Sequence, residues 1–217
     1  MALTAKTERD NFSRFGQGIV GTASTMTRDL LASYISPTDL VMKVRPGHPV
    51  WSSLDKLQKS LVQNAVMDGF LKFDISLSYK LIRNVCTNLR DPLKADLPAP
   101  SKGWGIDPQP SDVTPSDDLE RIRILRNSVY GHVSQSSMPE SEYQKHWQLL
   151  KDIASRMDTL LGKSYLNELQ ELELYKLSDA QVKDILKEIT GFRFCSLFSF
   201  IEMPKNLIMI VSFPMIE

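Results

Sequence analysis

The chain has 217 residues, enough for one domain with a sizeable core. Lysine plus arginine equals aspartate plus glutamate at 26 each. That zero net charge excludes a general salt-driven coat for nucleic acid and leaves room only for a local basic pocket. The two cysteines, Cys86 and Cys195, lack metal or disulfide spacing, which excludes a zinc-finger or RING module and suits a reducing compartment.

In chain order, the first residues (MALTAKTERDNFSRF) mix charges early and lack the apolar segment of a signal peptide. Residues 8–35 carry a weak helical pattern through Phe12, Phe15, Ile19, Leu30, Leu31 and Tyr34, loosened by Gly16, Gly18 and Gly21. These glycines fit no phosphate-loop fingerprint. A proline-flanked connection (Pro37, Pro46, Pro49) holds a short helical piece around Asp39–Val44, and a second helix is predicted over Trp51–Val62. His48 lies in a turn and carries no functional signal.

The pattern over Asp74–Leu89 is clearer. Ile75, Ile82 and Leu89 lie seven apart, with Leu77, Leu81 and Val85 widening the face, and Pro92 is the expected stop. Asp74 suits a helix start better than chemistry. Residues 91–115 read as a long loop with five prolines before Pro115 and the turn Gly103-Trp104-Gly105. Loops of this length are functional or disordered as a rule; Trp104 is expected to anchor this one to the core. Thr114-Pro115-Ser116-Asp117 then supplies a hydroxyl cap, a proline in the first turn and an acid at the third position.

The helix that follows is the most informative. Leu119, Ile122 and Val129 follow helical spacing, and Arg126 falls on the same apolar seam. A buried guanidinium keeps its charge and needs an anion. The candidates are Asp74, Asp118 or a phosphate. His132, six residues on, is the side chain best suited to exchange protons near neutral pH. On an ideal helix the two positions are roughly 120° and about 9 Å apart, so they share no face. Gly131 could break the helix, or a two-fold axis could bring in a partner's residues.

Ser137-Met138-Pro139-Glu140 is expected to repeat the capping logic for a helix to about Leu161, with Tyr143, Trp147, Leu150, Ala154, Met157 and Leu161 as its stripe. His146 borders that stripe as a packed histidine. Leucine-rich helices near 164–176 and 179–190 follow, either packed on the bundle or serving as a partner-binding arm. The tail from Phe192 is apolar but interrupted by Arg193, Glu202, Pro204, Lys205 and Asn206, so no membrane span is predicted. The whole reads as an all-α bundle of about five helices with a C-terminal helical extension, in an intracellular, cytoplasmic protein.

Arg126-Asn127-Ser128-Val129-Tyr130-Gly131-His132 resembles the Arg-Asn-x4-His signature of the HEPN superfamily. FDISLSYKLIRNVCTNL, the GWGIDP turn, DDLERIRILRNSVYGH and SEYQKHWQLLKDI follow each other as in the subgroup named after the DAZ-interacting zinc-finger ubiquitin ligase. The resemblance covers approximately residues 25–165. It leaves residues 1–24 as part of the first helix, 166–191 as the extension and 192–217 as a tail.

The resemblance implies a helical bundle that forms a homodimer, with the motif residues of both copies meeting in a cleft. It also implies either metal-independent cleavage of RNA or binding of RNA or nucleotides without cleavage, or a scaffold role. Carried over, Arg126 and His132 would be catalytic and Asn127 would orient them. No cofactor or metal is implied. His132 would accept the 2′-hydroxyl proton or protonate the leaving oxygen, and Arg126 would stabilise the charge of the transition state. The rival expectation is a non-enzymatic dimerisation and protein-interaction module. The RING part of the ligase is absent, so ligase activity does not carry over. Arg83-Asn84 echoes Arg126-Asn127, yet Arg83 sits off its helix's apolar stripe and reads as solvated or ion-paired.

Overall fold

The computed structural model describes residues 2–87, 89, 95–132, 136–174, 178, 180–181 and 183–185, with the backbone alone at 2–5, 130 and 132. The fold among them is all-helical. The chain opens with α1 (Ala2–Gly18), passes through a π-helical turn (Ile19–Ala23) and continues as α2 (Ser24–Tyr34). Gly18 explains part of this path. A Cβ there would sit 2.9 Å from Cζ3 of Trp147 and 3.2 Å from Leu150 Cδ2, so glycine lets the first helix lie directly on a tryptophan ring.

Four short helices follow: α3 (Pro37–Lys43), α4 (Pro49–Ser53), α5 (Lys56–Gln63) and α6 (Ala65–Asp68). The single helix expected over Trp51–Val62 is therefore two. Asp55 breaks it: its side chain accepts from Gln58 N at 2.8 Å while Gln58 Oε1 accepts from Asp55 N at 3.3 Å, a reciprocal capping box that restarts the helix. His48 also caps, accepting from Val50 N at 3.2 Å.

Asp74 begins α7 (Ile75–Leu81) as expected, its carboxylate accepting from Leu77 N at 2.8 Å. The helix widens into a π-helical turn (Ile82–Cys86) instead of running on as α-helix to Leu89, and Pro92 lies outside the described residues. Then come α8 (Pro115–His132), α9 (Glu140–Leu161) and α10 (Tyr165–Leu174). Thr114 caps α8 as its sequence predicts, accepting from Asp117 N at 3.2 Å. Pro139 precedes α9 with no side-chain cap, so Ser137 does not play that part. Asn11 and Glu140 instead tie α1 to the start of α9 at 2.7 Å.

One core joins these elements. Trp147, Leu150, Ala154 and Met157 of α9 are buried with Phe12 and Phe15 of α1, Ile19 of the π-helical turn after it, Leu77 and Leu81 of α7, and Leu119, Ile122 and Val129 of α8. Leu169 of α10 belongs to the same core, so the first helix of the extension packs onto the bundle. The helix expected over 179–190 falls largely, and the apolar tail wholly, outside the described residues. No helix among the described residues is long and apolar enough to cross a membrane.

Candidate functional site on helix α8

Helix α8 is polar in an ordered way. Its acids, Asp117, Asp118 and Glu120, occupy the first turns; Arg121, Arg123 and Arg126 follow, with no acid between Arg121 and His132. Acids near the N-terminus match the helix dipole. All three are also buried, and each is held by specific partners.

Asp117 accepts from Ser101 N (2.7 Å), Ser101 Oγ (2.8 Å), Thr114 N (3.0 Å) and Thr114 Oγ1 (2.6 Å). Burial alone raises its pKa, but these four bonds outweigh that and hold its carboxyl below the ordinary value. Asp118 receives Arg156 in a bidentate fork, Nε at 2.7 Å and Nη2 at 2.6 Å, together with Arg121 Nη1 at 3.0 Å. Glu120 accepts the hydroxyl of Tyr79, Gly105 N (2.9 Å) and Arg123 Nε (2.7 Å). Tyr79 is thereby kept protonated, by burial first and by the neighbouring carboxylate second.

The result is a stapled loop. Leu97 N bonds Cys86 O at 2.9 Å, Ser116 Oγ bonds Pro98 O, and Arg121 Nη2 bonds Gln109 O at 2.6 Å. Trp104 anchors it as expected, its ring standing edge-on to Tyr79 at 5.7 Å and 84°. The sequence predicts the Thr114–Asp117 cap and the Trp104 anchor but not the rest of this network. The spacing Asp118–Arg121 hints at one pair, but its other members come from distant positions.

The expected site residues lie on the second half of the same helix. Arg126 is 6% exposed, as its place on the apolar seam predicts. Its anionic partner is neither Asp74, which caps α7, nor Asp118, which Arg121 and Arg156 occupy. Both expectations are corrected. Instead Nη1 donates to the side-chain oxygen of the adjacent Asn127 at 3.2 Å. Asn127 itself is exposed. The helix continues through Gly131 to His132, so glycine does not break it, and positions 126 and 132 remain on different faces of one helix.

His146 is packed: its ring stacks on Phe15 at 5.5 Å and 24°, and Nδ1 lies 3.4 Å from Ser128 Oγ, which places α9 against the motif. Cys86 is buried, and burial pushes its thiol up to about 12, so it is an inert thiol.

The model of the family described as DZIP3/hRUL138-like HEPN matches residues 58–185, more than half the chain. The human E3 ubiquitin-protein ligase DZIP3 is 27% identical over 114 residues, which are 51% of this chain and 8% of that protein. The mouse protein of the same name is 26% identical over the same extent. This chain thus spans less than a tenth of the length of the curated relatives it matches. No solved structure matches it. The matched span begins in α5 and takes in the stapled loop, α8, α9 and α10, and on that ground the chain belongs to the DZIP3/hRUL138-like HEPN family.

Proposed function

We propose that this chain is a HEPN module that pairs with a second copy and binds RNA at the C-terminal half of α8, in a cytoplasmic setting. The observation that carries this reading is the Arg126–Asn127 pair. The guanidinium is covered and fixed, and the amide it orients is exposed on a stretch, residues 121–132, that carries three arginines and no acid. An exposed, oriented amide can bond a phosphate or base edge, whereas a buried guanidinium cannot reach one without rearrangement. Binding is therefore better supported than cleavage.

Metal-independent cleavage is the more demanding form of the same reading. It needs His132 to move a proton and Arg126 to reach the phosphate, with a partner copy completing the site. The second reading is a protein-interaction module without RNA. It is favoured by exposed apolar side chains, Met67 at 87%, Leu71 at 79% and Leu174 at 84%, the last of them on the helical extension.

One experiment separates these. Purified protein is incubated with a mixed single-stranded RNA in EDTA, beside Arg126→Ala and His132→Ala, and scored for both retention and cleavage. Retention without cleavage is the expected result. Cleavage abolished by both substitutions establishes the nuclease. Neither retention nor cleavage leaves the interaction module.

A further inference from the structure

We propose that Arg83 and Arg123 form a phosphate-binding strip across the α7–α8 junction, which lengthens the RNA surface beyond the motif on α8. The inference rests on the RNA-binding reading above. Arg123 and Asn127 are one turn apart on α8 and so share a face. The side chain of Arg123 is 16% exposed and crosses the Tyr79 ring, 6.0 Å from its centroid. Its Nε is held by Glu120, which leaves the outer nitrogens without a hydrogen bond among the described residues. Arg83 lies four residues after Tyr79, in the π-helical turn that continues α7, the helix packed against α8. It is partly exposed, has no side-chain hydrogen bond or ion pair among the described residues, and lies close enough to act electrostatically on the Tyr79 hydroxyl.

Charge balance then decides the chemistry. The buried Glu120 carboxylate neutralises one guanidinium, and two surround Tyr79. One positive charge therefore faces outward beside an exposed amide. Lys80 adds no charge to the strip, because it is turned away onto Ser53 O at 2.9 Å and Gln58 Oε1 at 3.3 Å. Planar guanidinium groups suit the paired oxygens of a phosphodiester. Their arrangement on helices fits a strand held by its backbone.

The test measures binding of a short unstructured RNA by fluorescence anisotropy across a salt series. The variants are Arg83→Glu, Arg123→Gln (which keeps a donor for Glu120) and Asn127→Ala, each checked for folding by circular dichroism. Each arginine variant is expected to weaken binding and to lower the log–log salt slope by about 0.7 per lost phosphate contact. Excess inorganic phosphate should compete poorly with RNA; full displacement at low millimolar phosphate would overturn the strand-binding assignment in favour of a free-phosphate site. If Asn127→Ala weakens binding and Arg83→Glu leaves affinity and slope unchanged, the strip is wrong and the α8 reading stands. If the parent protein binds no RNA, both fall.

Discussion

Asp118 on α8 and Arg156 on α9 are joined by two parallel hydrogen bonds, at 2.7 and 2.6 Å, with the carboxylate almost fully buried. Arg121 adds a third bond and passes the connection on to Gln109 of the loop. The pair therefore fixes the relative position of the two helices that frame the motif. Removing Asp118 strands two guanidinium groups, one of them buried. Asp118→Ala should lower stability by about 3–5 kcal/mol. Arg156→Ala leaves Asp118 its bond to Arg121 and should cost less. Urea unfolding monitored by circular dichroism ranks the two, and the reverse order would contradict this account.

Gly18 and Gly21 make a matched pair of opposite sign. A methyl at Gly18 would meet the rigid, buried Trp147 ring, while nothing lies within 4 Å of Gly21. Gly18→Ala should destabilise by about 1–3 kcal/mol through overpacking, less the gain in helix propensity. Gly21→Ala should stabilise by roughly 0.5–1 kcal/mol. Thermal melts of both variants check the sign directly.

The Asp117 carboxyl titrates below its ordinary value in the folded chain. A depressed folded pKa contributes stability above the unfolded value, near 3.9, and loses it as the pH falls through the folded one. The chain should accordingly lose stability on acidification below about pH 4. Asp117→Asn should be less stable at neutral pH and should lose less further stability below pH 4 than the parent. Denaturation midpoints across that range test this, and parallel curves for the two proteins would refute it.

Much of this fold was legible because apolar spacing is a local property. The stripe Tyr143, Trp147, Leu150, Ala154 and Met157 is buried as its period predicts, and so is Arg126 on its seam. The break at Asp55 was also legible in principle, since Asp55 and Gln58 form a capping box readable from sequence. What could not be read was long-range. Which group meets which carboxylate depends on how the loop returns to α8, as Glu120 with Gly105 shows, and on how α9 packs beside it, as Asp118 with Arg156 shows. The π-helical turn after Leu81 has no pattern of its own, because the apolar face continues through it.

The loop itself should respond to its staples. Glu120→Gln keeps an acceptor for Tyr79 and Gly105 but removes the charge that pairs with Arg123. Limited proteolysis should then cleave within residues 95–114 faster than in the parent, while α9 stays protected. Equal cleavage rates would show that the hydrogen bonds alone hold the loop.

In the proposed function, the exposed amide of Asn127, oriented by a buried Arg126, contacts RNA. The most direct measurement is the affinity of Asn127→Ala for a single-stranded RNA, in EDTA, relative to the parent protein. The account predicts binding by the parent and clearly weaker binding by a variant that remains folded. Equal affinity of the two would contradict it.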